Sequence, residues 1–296
     1  MPIMAKEVIE LLQIRGGGVY LDGTLGGGGH SQLICQRMGA GRLIGIDRDI
    51  SAIEAAGEKL KDYNVTLFND NYVNVKKLVD VEISGALLDL GVSSHQLDEA
   101  ERGFSYRYEA ALDMRMDRKS GLTAYDVVNN YAFTELVRVL RDYGEEKKAA
   151  IIARRIINSR PIKTTTELSD VIRSAFSPKE RFEGKHPAKR SFQGIRIEVN
   201  DELSKLGQAV SDLAWMLESG GRLAVITFHS LEDRIVKNAF VNLSAGCVCP
   251  KNFPVCVCGG ESKFRIITKK PVVSGAEELR DNPRSASAKL RAIERL

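Results

Sequence analysis

A glycine-rich loop behind an acid is the first segment of the chain whose residue types could do chemistry. The loop follows Asp22 and runs to Gly29, and His30 and Ser31 come directly after it. Glycines tolerate positive φ, so the backbone N–H groups of such a loop can approach a ligand closely beside the start of a helix. The dinucleotide fingerprint G-x-G-x-x-G fits poorly, because Ser31 stands at the third glycine position.

An acid before such a loop is more like the pattern that binds S-adenosylmethionine. This ligand has no pyrophosphate, but it carries an ammonium group that the carboxylate of Asp22 can hold. Asp47 ends the second predicted strand, where an acid hydrogen-bonds ribose hydroxyls in sheets of this kind. The sequence therefore predicts a nucleoside-containing ligand and favours a methyl donor over NAD. A glycine-rich turn without a ligand is the alternative.

Polar residues also follow the fourth predicted strand, which ends at Asp89 and leads to Ser93. Ligands of open α/β sheets bind outside the carboxyl ends of the strands, where the strand order reverses. Asp89 and Ser93 are therefore expected to line the cofactor and substrate pockets. The same edge continues to Asp113, Arg115 and Asp117, where Arg115 is a candidate substrate contact. A surface ion-pair network among these three residues is the alternative.

A basic segment lies in the second half of the chain. Residues 151–200 hold eleven Lys or Arg and five Asp or Glu, whereas the net charge of the whole chain is only +4. Clustered positive charge is typical of proteins that meet phosphate, although a solvated helix face is at least as common. Phosphate-pairing charges, amide donors and one stacking ring together predict an RNA interface, formed by His186, Lys189, Arg190, Phe192, Gln193 and Arg196. The alternative is that Phe192, Ile195 and Val199 form the apolar stripe of a helix.

Alternating strands and helices must position these residues. Short apolar runs predict strands at 19–21, 43–46, 65–68, 86–88, 222–227 and 264–268, with an antiparallel strand at 289–296. From about residue 107 helical periods replace the strands, including 133–143, 145–157 and a Thr-capped helix after 164–166. We therefore predict a doubly wound, Rossmann-like α/β sheet from 1–106 and 205–296, with an inserted helical substrate-recognition domain at 107–204.

Length and composition exclude several protein classes. The 296 residues are 43% hydrophobic, which suffices for a sizeable core and argues against disorder as the main state. No uncharged stretch approaches the ~18 residues of a membrane-spanning helix. Acids at Glu7 and Glu10 argue against a signal peptide. We therefore expect a soluble protein of the cytoplasm.

The cysteines divide into the single Cys35 and a cluster of four. Their odd number argues against a secreted disulfide framework. The cluster has the spacing C-x-C…C-x-C, and four nearby thiolates make a tetrahedral structural zinc site a candidate. The candidate ligands are Cys247, Cys249, Cys256 and Cys258. A loop of buried or free thiols is the alternative.

Several longer segments carry a resemblance to a known family. They are D-G-T (22–24), G-G-H-S (28–31), L-D-L-G-V-S-S (88–94), E-R-G-F-S (101–105), L-D-M-R-M-D (112–117), H-P-A-K-R-S-F-Q-G-I-R-I-E-V-N (186–200), F-H-S-L-E-D-R (228–234) and N-P-R-S-A-S-A-K-L-R (282–291). Together they run nearly end to end, and they closely resemble the bacterial ribosomal RNA small-subunit methyltransferase H family.

The resemblance implies N4-methylation of a cytidine in small-subunit ribosomal RNA, with S-adenosylmethionine as the methyl donor. The implied partner is this RNA or the assembled small ribosomal subunit. The resemblance also implies that seven residues contact the donor, namely Gly28, Gly29, His30, Asp47, Tyr72, Asp89 and Gln96. Tyr72 stands where the family more often has Phe, and its ring can stack on adenine.

The chemistry of such a transfer sets what the protein must supply. The cytosine amine is a poor nucleophile because its lone pair is delocalised into the ring, so it needs in-line positioning and a hydrogen-bond acceptor rather than a strong base. Asp89, Ser93 or a backbone carbonyl between them is predicted to accept that bond. An NAD-dependent oxidoreductase and a non-enzymatic RNA-binding assembly factor are the rival interpretations.

Overall fold

The computed structural model describes residues 2–119, 121–182, 186–246 and 260–296, apart from the side chains of Ser94 and Phe182. The chain divides into two compact units, Met1–Gly91 with Leu203–Leu296 and Val92–Glu202. The second unit begins at Val92 rather than at residue 107, because Val92, Leu97 and Phe104 pack into its own apolar core.

The first unit is built on one sheet. In the part of the chain that the structure describes, seven strands have the order β3-β2-β1-β4-β5-β7-β6. Their bounds are β1 (Val19–Asp22), β2 (Arg42–Asp47), β3 (Val65–Asn69), β4 (Ile83–Asp89), β5 (Leu217–Thr227), β6 (Phe264–Ile266) and β7 (Lys289–Arg295). Strands β1 to β5 are parallel, and β7 pairs antiparallel with both β5 and β6. The predicted doubly wound α/β class and the antiparallel last strand are confirmed.

Helices precede and follow most strands. In chain order they are α1 (Ala5–Leu12), α2 (Gly29–Met38), α3 (Ile50–Lys59), α4 (Val75–Leu78), α5 (Ser94–Asp98), α6 (Ala124–Asn130), α7 (Phe133–Arg138), α8 (Ala149–Asn158), α9 (Thr165–Ser174), α10 (Pro178–Phe182), α11 (Ala188–Asn200), α12 (Leu206–Met216), α13 (Ser230–Ser244) and α14 (Ala276–Asp281). Within the described residues, no helix combines the length and the apolar composition that crossing a bilayer requires.

Apolar clusters cover both faces of the sheet in the first unit. Along β4, Ala86 and Leu88 belong to one cluster and Leu87 to the other. Helices α12 and α13 contribute to the first cluster, and α1, α2 and α3 contribute to the second. Strands buried on both faces need apolar residues at nearly every position, and this is why they appear as short unbroken apolar runs in the sequence.

The strand order reverses between β1 and β4. From β1 the chain passes through α2 to β2 and then to β3 on one side, and it returns to β4 on the other side of β1. Ligands of doubly wound sheets bind at such a reversal, outside the carboxyl ends of the strands. Those ends carry Asp22 on β1 and Asp89 on β4.

The second unit is helical and has its own core. Phe192, Ile195 and Val199 of α11 are all buried in it, as the apolar-stripe interpretation expects. Thr164 caps α9 by accepting a hydrogen bond from the N–H of Glu167, and this confirms the predicted start. The predicted helix at 133–143 is instead α7 followed by a π-helix over Val139–Tyr143.

Candidate cofactor and substrate site

Asp22 fixes the glycine loop from the end of β1. Its Oδ1 accepts a hydrogen bond from the N–H of Thr24 at 3.1 Å, and its Oδ2 accepts one from the hydroxyl of Ser31 at 2.7 Å. The side chain is 1% exposed, and burial raises its pKa while the Ser31 hydrogen bond opposes the rise. These contacts join both ends of the loop to one buried carboxylate, so Asp22 positions the loop.

The loop itself turns through left-handed backbone conformations. Gly28 has φ 71° and caps the N-terminus of α2, and Gly26 has φ 48°. A Cβ on Gly28 would lie 3.3 Å from the Cβ of Ala56, so a side chain there would combine a strained φ with a tight contact. A Cβ on Gly27 would meet nothing within 4 Å. The loop therefore packs on α3 at Gly28 and borders open space at Gly27.

Asp47 ties the loop to the end of β2. Its Oδ2 accepts a hydrogen bond from the N–H of Gly26 at 2.8 Å, and its Oδ1 accepts one from the N–H of Asp49 at 2.9 Å. Burial raises the pKa of Asp47, and both backbone hydrogen bonds act against the rise. Each carboxylate oxygen can accept more than one hydrogen bond, so Asp47 retains acceptor capacity for ribose hydroxyls.

Asp89 and His30 face each other across the strand reversal. The His30 Nε2–H donates to the carbonyl of Ile3 at 2.9 Å, so Nδ1 is the ring nitrogen that faces Asp89. This Nδ1 lies 3.6 Å from Asp89 Oδ2. The Asp89 backbone N–H donates to the Thr24 hydroxyl at 2.6 Å, which fixes the strand end against the loop.

The second carboxylate oxygen of Asp89, Oδ1, is buried and has no hydrogen-bond partner among the residues that the structure describes. The pKa of Asp89 is raised to about 6, chiefly by burial and in part by the carboxylates of Asp22 and Glu232, while His30 opposes the rise. A buried acceptor without a partner is costly unless a ligand completes it. Asp89 is thus equipped to accept a hydrogen bond from a bound molecule.

Three carboxylates give this edge of the sheet its chemistry. Asp47, Asp22 and Asp89 end the neighbouring strands β2, β1 and β4. Such a set suits a ligand that carries positive charge and hydroxyl groups, and it repels a pyrophosphate. The geometry therefore disfavours the dinucleotide interpretation.

Tyr72 lies in the first unit at the start of the 3₁₀ turn Tyr72–Asn74. Its side chain is buried in the same apolar cluster as Leu88 and Leu90. A Cβ on Gly23 would come within 3.1 Å of the Tyr72 Cβ, so the glycine allows close approach of this segment to the loop. The predicted stacking of Tyr72 on adenine stays a prediction.

Ser93 and Gln96 belong to the second unit, where they form a capping box on α5. The hydroxyl of Ser93 accepts a hydrogen bond from the N–H of Gln96, and Gln96 Oε1 accepts one from the N–H of Ser93, both at 3.2 Å. Each side chain thus satisfies a backbone donor at the start of α5. Their predicted roles, catalysis for Ser93 and donor binding for Gln96, stay predictions.

Three of the residues predicted to contact the substrate form hydrogen bonds to other residues of the second unit. Arg115 makes two hydrogen bonds to Asp113, at 2.7 and 2.9 Å, as the ion-pair alternative expects. Arg196 makes two hydrogen bonds to the largely buried Glu202, both at 2.8 Å. Gln193 donates to the carbonyl of Tyr143 at 3.0 Å.

The remaining candidates differ in exposure. Phe192 is 4% exposed in the core of the second unit, so its ring is not offered to solvent. His186, Lys189 and Arg190 are exposed at the start of α11. The four candidate zinc ligands, Cys247, Cys249, Cys256 and Cys258, lie outside the described residues.

Comparison with known proteins assigns the family. A model described as the MraW methylase family matches residues 1–296. The chain belongs to the MraW methylase family. Three similar proteins are each named Ribosomal RNA small subunit methyltransferase H. They come from Heliobacterium modesticaldum (52% identical over 100% of this chain and 98% of the relative), Lachnospira eligens (50%, 99% and 96%) and Clostridioides difficile (49%, 99% and 98%).

A further acid of this MraW methylase, Glu232, is buried near the site and is not among the site residues predicted from the sequence. Its Oε2 accepts hydrogen bonds from the N–H groups of Phe228 and His229, and the side chain is 2% exposed. The spacing His229-x-x-Glu232 matches a capping box with an unusual N-cap residue. This spacing is the sequence signal by which Glu232 could have been identified. Its carboxylate also contributes to the raised pKa of Asp89.

The Arg196–Glu202 pair yields a prediction about stability. We expect Arg196→Lys to destabilise the methylase by about 1–3 kcal/mol, because an ammonium cannot reproduce the two parallel hydrogen bonds to a largely buried carboxylate. The matched change Arg190→Lys lies at an exposed position and should alter stability by less than about 0.5 kcal/mol. Urea unfolding of both variants measures the difference, and equal stabilities would contradict the structural role of Arg196.

Proposed function

We propose that this methylase transfers a methyl group from S-adenosylmethionine to the N4 amine of a cytidine in small-subunit ribosomal RNA. The observation that carries the proposal is the buried, unpartnered Oδ1 of Asp89 beside a glycine loop held by two further carboxylates. The names of the relatives support the RNA substrate. Such a substrate implies action in the cytoplasm, on ribosomal RNA or on the small subunit.

The residues of the first unit fit the methyl donor. Asp47 would bind the ribose hydroxyls, and the loop at Gly27 offers backbone groups beside open space. The negative set of Asp22, Asp47 and Asp89 complements the positive charge of this ligand. When bound, S-adenosylmethionine supplies an electrophilic methyl group on a sulfonium. Orientation of the amine and exclusion of water then fall to the protein.

Asp89 is the proposed hydrogen-bond acceptor for the reacting amine. Its Oδ1 would accept an N–H of the cytosine amine, which directs the nitrogen lone pair away from the carboxylate and raises its nucleophilicity. Methylation of a neutral amine to a neutral methylamine releases one proton. Asp89 would take it from the nitrogen, and His30 Nδ1, 3.6 Å from Oδ2, is placed to share it.

The second unit is the proposed RNA-recognition part of the chain. Its support is the exposed pair of basic residues Lys189 and Arg190 at the start of α11, next to the exposed ring of His186, together with the surplus of Lys and Arg over 151–200. Phosphate contacts of this kind position a nucleic acid without reading its sequence. Phe192 is buried, so its ring has no part in these contacts.

A transfer assay tests the proposed function. Purified protein, tritium-labelled S-adenosylmethionine and small ribosomal subunits from cells that lack this protein should yield labelled N4-methylcytidine after nuclease digestion. Naked small-subunit RNA tests whether the assembled particle is needed, and large subunits serve as the negative control. Absence of label from both substrates would favour the non-enzymatic assembly factor. Label on another nucleoside would overturn the N4-cytidine assignment.

A further inference from the structure

We propose that Tyr106 and His186 form a stacking platform for one unpaired base of the RNA. The inference rests on the proposed function, and it names the part of the second unit that would grip a single-stranded nucleotide. The two rings lie parallel, with their centroids 4.4 Å apart and an angle of 10° between their planes. They are eighty residues apart in the sequence, so the fold of the second unit creates this pair.

The platform is anchored on one side and open on the other. Tyr106 packs edge-on against the buried Phe192, with ring centroids 5.7 Å apart and an interplanar angle of 83°. His186 Nδ1 accepts a hydrogen bond from the N–H of Ala188 at 3.2 Å, which fixes the imidazole at the start of α11. Tyr106 is partly buried, whereas His186 is exposed. A base can therefore extend the stack at His186.

The surrounding charges favour a nucleic acid as the occupant. Burial lowers the pKa of His186, Arg173 and Arg107 lie close enough to lower it further, and Asp170 acts weakly in the opposite direction. The imidazole is therefore neutral at pH 7 and offers a π-face rather than a phosphate-pairing charge. The two arginines are the cations that phosphates on either side of a stacked base require.

The contacts that Arg173 and His186 make within the protein are compatible with RNA binding. Arg173 has an exposed neighbour in Asp170, 3.5 Å away, and such a surface pair is weak enough to be exchanged for a phosphate. The Nδ1 contact leaves the proton of neutral His186 on Nε2, so the ring also offers a donor to a base edge or a sugar hydroxyl. Aromatic stacking with nearby cations is the common mode of single-stranded RNA recognition.

Fluorescence of 2-aminopurine tests the platform without a methyl donor. The probes are single-stranded RNA 12-mers from small-subunit RNA, each with one 2-aminopurine at a successive position. We expect quenching at one position with the native protein. His186→Leu should abolish that quenching and weaken binding about 5- to 150-fold, the range that base–aromatic stacking supports. His186→Phe should restore both, because it keeps a flat ring.

Two controls make the result decisive. Tyr125→Leu removes another exposed tyrosine of the second unit, and it should bind and quench like the native protein. Native-like quenching and affinity in His186→Leu, or a loss in His186→Phe equal to that in His186→Leu, would overturn the platform. Quenching by a native protein that transfers no methyl group would support the platform and count against the proposed function alone.

Discussion

The Asp89→Asn variant is expected to lose methyl transfer by about 10²–10⁴-fold in kcat, the range that a positioned proton acceptor supplies. An amide oxygen still accepts a hydrogen bond, but it cannot take the proton that the reaction releases. RNA affinity should be unchanged. The measurement is single-turnover transfer at saturating donor and RNA, and Asp62→Asn, at an exposed position of the first unit, is the matched control. Native turnover in Asp89→Asn would remove Asp89 from the mechanism.

The pH dependence of the native enzyme follows from the same group. Because the pKa of Asp89 is raised to about 6, the carboxyl is protonated below that pH and its acceptor function is lost. The rate of the transfer step should therefore fall as pH falls through about 6. A pH profile from 5 to 8 that is flat in the native protein would contradict the assignment.

The raised pKa also predicts the effect of Asp89 on stability. The folded state holds the proton more tightly than the unfolded state, so stability falls as pH rises from about 3.8 to about 6 and stays lower above it. A shift of this size corresponds to about 3 kcal/mol. Asp89→Asn should thus unfold at higher urea than the native protein at pH 8, while the difference shrinks at pH 4. A variant less stable at pH 8 would contradict this account.

The Gly28→Ala variant is expected to lose both stability and affinity for S-adenosylmethionine. Alanine at φ 71° costs about 1–2 kcal/mol, and its Cβ would press on Ala56 at 3.3 Å. A loop that is binding-competent only a tenth of the time binds its ligand about tenfold more weakly. Calorimetry with S-adenosylmethionine and urea unfolding should show both losses.

Gly27→Ala is the matched control for this loop. A Cβ at Gly27 meets no protein atom within 4 Å, and its φ lies outside the left-handed region, so stability should stay native. Loss of donor affinity in Gly27→Ala without loss of stability would indicate that the donor occupies that open space. Native stability and native donor affinity in Gly28→Ala would contradict the role of the left-handed turn.

The strands and helix caps could be predicted from the sequence because their signals lie in short, continuous segments. Strands β1, β2 and β4 are buried on both faces, so each is a short apolar run. Thr164 is a side-chain cap visible as a residue type. The π-helix could not be predicted. There Gly194 approaches the carbonyl of Val139 and the backbone of Gly144 so closely that a Cβ on it would lie 2.8 Å from that carbonyl oxygen. That contact is tertiary and leaves no periodic signal.

The candidate site was predictable in its residue types and less so in its contacts. Asp22, Asp47 and Asp89 follow predicted strands, so their common edge was foreseeable. That Asp22 is turned towards Thr24 and Ser31 depends on the path of the loop. The burial of Phe192 was one of two open interpretations, and the Tyr106–His186 pair joins segments that only the fold brings together.

Mapping of ribosomal RNA modifications by mass spectrometry tests the central claim most directly. Small-subunit RNA from cells that lack this protein should differ from that of the parent strain by the loss of one methyl group, on N4 of a single cytidine. The native gene should restore it, and the Asp89→Asn gene should not. An unchanged modification pattern in the deletion strain would contradict the proposed function.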